Sequence, residues 1–378
     1  MIKDLNSSSI DKSMHMFNYV IARPKTLFSL HAIRGFAALG IVLFHLTNEL
    51  FTRFQFKLLG GLFLTSYSGV DFFFILSGFV LFYTYHSKFG KKKEIVPFLR
   101  KRFLRLYPTY WMITAIIIVG MVVLKSHAVT AYANSVPFIF KTIFLLPHDL
   151  RIIPPAWTLT YEVYFYCMFV LLFLFKDKKK LVWLGLLYSA TIVMIAIWLT
   201  PLLPGLKVSH SAITLLQVVS GVYVIEFLMG MGTAYLVTQS KFIQWNKVLL
   251  GVGIVLFIVS SVANYYLHIS GTILEELRFL YFGLPAAAII FSSASIELNK
   301  PFLLPRFVTF LGDISFTLYL THYSLIQLVL SQLGKSVNQN SSGMLVAATA
   351  CLTLAGTLAT GAVFHYGIEK RLRSLYKK

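Results

Sequence analysis

Ten apolar stretches follow one another along this 378-residue chain, at 27–48, 64–86, 107–125, 156–175, 181–200, 213–237, 247–267, 274–293, 307–330 and 343–366. A helix of about twenty apolar residues spans the ~30 Å hydrocarbon core of a bilayer. A soluble domain of this size cannot bury so much apolar surface: 57% of residues are hydrophobic, only 13% are charged, and the mean hydropathy is +0.74. The expected fold is therefore an all-α integral membrane protein, a bundle of about ten transmembrane helices. An eleventh stretch, 136–147, is short and broken by Pro137 and Pro147, and reads as a re-entrant or interfacial piece.

Charge sets the expected orientation. Of the 34 Lys and Arg, 25 fall on one side when the amino-terminus is placed inside, eight fall on the other, and Arg34 lies within a span. That asymmetry puts both termini in the cytoplasm. It divides the chain into an amino-terminal tail (1–26), a transmembrane region (27–372) and a short basic tail (373–378). The net charge of +20 is then mostly topology and calls for no nucleic-acid partner. The basic cluster at 88–105 could also meet anionic lipid or a polyanionic ligand. No cleavable signal peptide is evident. Cys167 and Cys351 both fall in spans, without a disulfide or metal-binding pattern, and no metal is expected.

Ionisable groups inside spans are costly and mark function. Arg34 and His45 stand eleven residues apart in HAIRGFAALGIVLFH, which brings them within about 20° on one helix face and roughly 16 Å apart along it. Converting sequence position to depth predicts two layers. His45, Asp71, Glu162 and His322 fall toward the outside. Arg34 and Asp313 fall toward the inside, joined from the basic loop by Arg102 and Arg105. A histidine oriented among carboxylates suits proton abstraction from a hydroxyl. Clustered guanidinium groups at the cytoplasmic mouth suit phosphates. Ser77, about 120° around the helix from Asp71, reads as a packing or hydrogen-bonding residue. Glu226 lies deep in the sixth span with no partner in sequence, and no role follows from its position.

These residues also form a pattern. The Arg34–His45 spacing, GVDFFFILSGF around Asp71, Ser77 and Gly78, and Arg102-x-x-Arg105-Leu106-x-Pro108 occur in that order, followed by Trp157-Thr158-Leu159-x-x-Glu162. Together they resemble the membrane acyltransferase-3 family, bacterial multi-span O-acyltransferases of surface glycans. ISFTLYLTH, ending at His322, resembles a further motif of that family with Phe316 in place of its usual Tyr. GIEK resembles another, with Arg371 in place of its Pro. The likeness extends over residues ~27–372 and is that of the stand-alone form, without a carboxy-terminal SGNH domain.

The resemblance implies an acyl-CoA donor, most often acetyl-CoA, on the cytoplasmic side of a bacterial inner membrane. It implies a hydroxyl of a cell-surface polysaccharide or lipid-linked glycan as acceptor. On this reading Arg34, Arg102 and Arg105 hold the CoA phosphates, while His45, oriented by Asp71 or Glu162, is the general base. Ser77, Trp157, Thr158, Asp313 and His322 support the site. Direct transfer and an acyl-enzyme on His45 or Ser77 both remain open. The rival reading is a proton-coupled transporter using the buried His and carboxylates as a relay. A relay has no need of a diphosphate-sized basic site.

Overall fold

The computed structural model describes residues 27–124, 136–148, 151–195, 210–239, 245–267, 273–333 and 341–375. The tails at 1–26 and 376–378 lie outside the described residues. Those described are helical or in short connections, with no strand among them. Eight helical segments among them are long and apolar enough to cross a membrane. The chain is a multi-pass α-helical membrane protein.

The helices that build the site are α1 (Phe28–Phe54), α2 (Gly69–Tyr85) and α3 (Ile95–Val123). A short α4 (Val136–Ile143) precedes α5 (Trp157–Leu172) and α6 (Lys178–Met194). Then come α7 (His210–Ser220), α8 (Val222–Gln239), α9 (Asn246–Tyr266), α10 (Leu284–Asn299), α11 (Arg306–Leu333), α12 (Gly343–Phe364) and α13 (Lys370–Leu375). The expected spans 156–175 and 181–200 correspond to α5 and α6, of 16 and 17 described residues, shorter than the eight.

Two glycine contacts draw the central helices together. A Cβ on Gly78 of α2 would collide with the Phe227 carbonyl oxygen on α8, and one on Gly230 of α8 would collide with the Ile75 carbonyl oxygen on α2. Small residues let backbones approach this closely, which is how helices associate where solvent supplies no hydrophobic drive. Gly35 of α1 allows the same close approach to the backbone of Leu311 and Gly312 on α11, while Gly312 leaves room for the His31 ring. The start of α1 is fixed by Glu297 of α10. Its carboxylate accepts from the Phe28 amide (2.7 Å), the Ser29 amide (2.8 Å) and the Ser29 hydroxyl (2.6 Å). A negative group at a helix amino-terminus satisfies orphan N–H groups and complements the dipole.

Two elements depart from the sequence reading in ways that move site residues. The basic cluster before Pro108 is not all loop: α3 begins at Ile95 and continues through Pro108, so Arg102 and Arg105 are helical. Lys and Arg are good helix formers, and hydropathy registers only the apolar part of such a helix. α5 begins in the protein interior. Ile152 and Ile153 are buried, and Trp157 packs on Phe74, in the second turn of α2. The Tyr319 hydroxyl, mid-way along α11, donates to the Pro155 carbonyl (3.1 Å) and accepts from Thr158 (3.0 Å).

Candidate active site

Between α1, α2, α3, α5 and α11 lies a cavity of about 880 Å³, its open mouth included. Arg34, Ser77, Arg102, Arg105, Thr158 and Glu162 line it, with Phe73 and Tyr319 among the surrounding rings. Three arginines with one carboxylate make it strongly basic.

Arg34 and Arg102 are held differently. Arg34 donates through one terminal nitrogen to the Gly312 carbonyl (3.0 Å) and to Nδ1 of His31 (3.3 Å). A guanidinium only donates, so His31 Nδ1 is the acceptor and its Nε2 carries the proton. That Nε2–H faces Asp313 Oδ1 at 3.0 Å and the Thr309 carbonyl at 3.2 Å. Asp313 thus acts on Arg34 through His31, one turn before it. Arg102 is only 5% exposed, and its guanidinium lies over the rings of Tyr85, Phe98 and Tyr166, 5.3–5.8 Å from their centroids. Cation–π contacts of this kind hold a charge without neutralising it. Neither arginine has an ion-pair partner among the described residues, and the Nε of each is buried with no acceptor. Buried donors left open cost free energy unless a ligand supplies the acceptor.

Glu162 belongs to this group. Ten residues above the end of α5, it stands roughly 15 Å along the helix, against roughly 25 Å for His45 on α1. The placement of Glu162 in an outer layer is corrected accordingly: α5 starts deep, so its carboxylate descends to the arginines. It accepts a hydrogen bond from the Tyr166 hydroxyl. From the carboxy-terminal side, buried Glu369 accepts from His365 Nδ1 (2.7 Å) and from Arg373, whose guanidinium is within electrostatic reach of Arg34 and Arg105.

His45 does not line the cavity. It sits above it, its ring 5.2 Å from that of buried His322 and flanked by Phe44 and Tyr323. Tyr319 lies between the cavity and the histidine pair, its ring 5.7 Å from His322 and 5.4 Å from Phe73. No carboxylate of the described residues is hydrogen-bonded to either imidazole. Asp71, expected as an orienting partner, is engaged elsewhere. Both its oxygens accept from Arg278, at 2.9 and 2.7 Å, in a pair 0% and 3% exposed. Arg278 also donates to the Tyr223 hydroxyl (3.1 Å) and lies against the rings of Tyr67, Tyr223 and Phe282. Fully buried Glu226 abuts this pair, its carboxyl against that of Asp71, and no N–H or hydroxyl of another side chain reaches its oxygens. Trp157 packs on Phe74 and Tyr223, beside the same cluster.

Nothing in the sequence assigns a role to Arg278, His31 or Arg373, and Glu369 enters it only as part of the GIEK motif. Arg278 lies inside the span 274–293, but a count of basic residues by side treats it as an outer charge. His31 stands three residues before Arg34 on the same helix face, a spacing that pairs side chains.

A family model described as an acyltransferase domain matches residues 27–362. Among characterised proteins, the chain is 25% identical to the exopolysaccharide production protein ExoZ of Rhizobium meliloti (strain 1021), over 77% of this chain and 86% of that protein. It is 24% identical to the acyltransferase MdmB of Streptomyces mycarofaciens, over 90% of each. No solved structure shows a significant match. With nearly the whole membrane region inside the family match, the chain belongs to the acyltransferase-3 family and is an O-acyltransferase.

Proposed function

We propose that this protein moves an acyl group, acetyl first among candidates, from cytoplasmic acyl-CoA to a hydroxyl of a cell-surface polysaccharide or lipid-linked glycan. It would do so as a bundle of about ten spans in a bacterial inner membrane with both termini inside. The observation that carries this reading is the arginine-lined cavity with unfilled guanidinium donors. CoA brings a diphosphate and a further phosphate, and guanidinium groups bind such oxygens with charge-assisted, often bidentate bonds. The acceptor class is supported by the exopolysaccharide production named in one relative.

In this mechanism Arg34, Arg102 and Arg105 hold the phosphates, and the thioester end extends past Phe73 and Tyr319 to His45. His45 takes the proton of the acceptor hydroxyl as its oxygen attacks the thioester carbonyl. A new C–O bond forms, the C–S bond breaks, and the proton returns from His45 to the CoA sulfur. Ser77 lines the cavity with no histidine hydrogen-bonded to it, so direct transfer is the preferred course over an acyl-serine. Asp71 is a structural partner of Arg278 in this reading rather than a catalyst. Glu162 separates the arginines and positions Tyr166.

Purified protein in lipid, given labelled acyl-CoA and a glycan acceptor, should transfer label to the glycan. His45→Ala should abolish transfer while CoA still protects the protein against thermal unfolding. Normal turnover by His45→Ala would overturn the base assignment. A labelled protein adduct formed without acceptor would replace direct transfer by a two-step route. Mass spectrometry of surface glycans from cells with and without the protein identifies the acceptor by one acyl increment.

A further inference from the structure

His322 is fully buried, and its two ring nitrogens are in unlike situations. Nδ1 lies 2.7 Å from the Tyr319 carbonyl and 3.2 Å from that of Leu318. A carbonyl can only accept, so Nδ1 carries the proton and the tautomer is fixed by the backbone of α11 itself. Nε2 is therefore a lone-pair acceptor. It is buried and has no hydrogen-bond partner. The ring next to it is His45, 5.2 Å away between centroids and tilted by 40°. The two rings are not hydrogen-bonded as they stand, but at this centroid distance a turn of the His45 ring brings one of its nitrogens to about 3 Å from Nε2, since two ring radii and an N–H···N separation add to roughly the same length. The other rings beside the pair are Phe44 and Tyr323 against His45 and Tyr319 against His322.

We propose that His322 is the positioning residue for His45: its Nε2 accepts the N–H of the His45 imidazole and so turns the other His45 nitrogen, with its lone pair, toward the acceptor hydroxyl. The proposal rests on His45 acting as the base. It gives to a neutral histidine the orienting task that a carboxylate performs in hydrolase triads. Asp71 is withheld from that task by Arg278, and Glu162 by its depth. A neutral partner also suits the surroundings, because it orients His45 without adding a second charge to a buried aromatic chamber. When His45 takes the substrate proton it becomes an imidazolium. The N–H it directs at His322 then strengthens, and the proton leaves by the other nitrogen to the CoA thiolate. No net proton is transferred to His322.

The two halves of the His322 ring can be tested separately. The amide of glutamine reaches about where Nε2 stands, whereas that of asparagine reaches only the Nδ1 position. His322→Ala and His322→Asn should lose at least about tenfold in kcat, with the KM for acyl-CoA unchanged within about twofold. His322→Gln should restore most of the rate. Should the alanine variant fail to fold, the Gln and Asn variants decide the matter, with thermal unfolding run on each. Rescue by Asn and not by Gln would overturn the proposal, because it would place the function of His322 in its Nδ1 bond to the backbone. Wild-type kcat in His322→Ala would overturn it as well. Full activity of His45→Ala would sink the underlying base assignment. An inactive His45→Ala beside an unimpaired His322→Ala would sink only the role of His322.

Discussion

The bundle treats Arg278 in one way and the cavity arginines Arg34 and Arg102 in the opposite way. Arg278 meets Asp71 through two parallel hydrogen bonds, adds the Tyr223 hydroxyl, and is enclosed by three rings. Its charge is matched within the protein. Arg34 and Arg102 have no carboxylate partner among the described residues and keep a buried Nε open. Arg102 is surrounded by aromatic faces, which hold a cation without neutralising it. A satisfied arginine ties α2 to the segment before α10. An unsatisfied one beside a cavity is prepared for an anion from outside the chain.

Breaking the satisfied set should have the largest effect. Arg278→Ala leaves Asp71 and Glu226 together in the interior with no cation, and removing one partner of a buried pair costs about 3–5 kcal/mol. Little folded protein should survive extraction, as read by fluorescence-detected size exclusion and thermal unfolding. The double variant Arg278→Met with Asp71→Leu should recover much of the loss, because it removes both charges. Equal instability of the single and double variants would show that the pair matters through its shape rather than its charge.

The unsatisfied set should respond in binding instead. Arg102→Ala removes charged donors, each worth about 1.5–3 kcal/mol when bonded to an anion. CoA affinity should therefore fall by roughly 10- to 150-fold, with the unfolding midpoint of the CoA-free protein little changed. Isothermal titration with CoA and with dephospho-CoA would also show which phosphate is lost. A fall in stability with affinity preserved would place Arg102 in the same class as Arg278.

That distinction between the two sets could be read from sequence only in part. The periodic apolar stretches predict the membrane bundle, because bilayer thickness fixes the length a helix must have. Depth along α1 separates Arg34 from His45 with no knowledge of other helices. Pairing is another matter. Asp71 and Arg278 are 207 residues apart, and nothing local in either stretch names the other. Depth counted from an assumed membrane surface puts Glu162 too far out. Its helix starts beside Tyr319 and Phe74, where Pro154 and Pro155 bring the chain inward. Arg278 looked like ordinary topology charge because a count of Lys and Arg cannot tell an exposed side chain from one paired at depth.

One further carboxylate beside each arginine set, Glu162 and Glu226, gives a smaller and finer test. Glu162 lines the cavity with Arg34, Arg102 and Arg105, so its charge repels the same phosphates that they attract. Glu162→Gln should tighten CoA binding by several-fold at low salt, an advantage that fades as ionic strength rises. Weaker binding in that variant would mean that the carboxylate holds the arginines in place for the ligand.

Glu226 offers the smallest expected change and the sharpest contrast with Asp71. Both are fully buried beside Arg278, yet Asp71 takes both hydrogen bonds while no N–H or hydroxyl of another side chain reaches the oxygens of Glu226. Glu226→Gln keeps the shape, removes a buried carboxyl, and leaves an amide that can still donate to the neighbouring Asp71. The unfolding midpoint should stay level or rise slightly, and transfer activity should be unchanged. Asp71→Asn, by comparison, weakens two charge-assisted bonds at once and should lower the midpoint clearly. If Glu226→Gln instead destabilised the protein as much as Asp71→Asn, Arg278 would be neutralised by both carboxyls jointly. The structural lock would then be a three-membered one, in which Glu226 acts on Arg278 through its field rather than through a hydrogen bond.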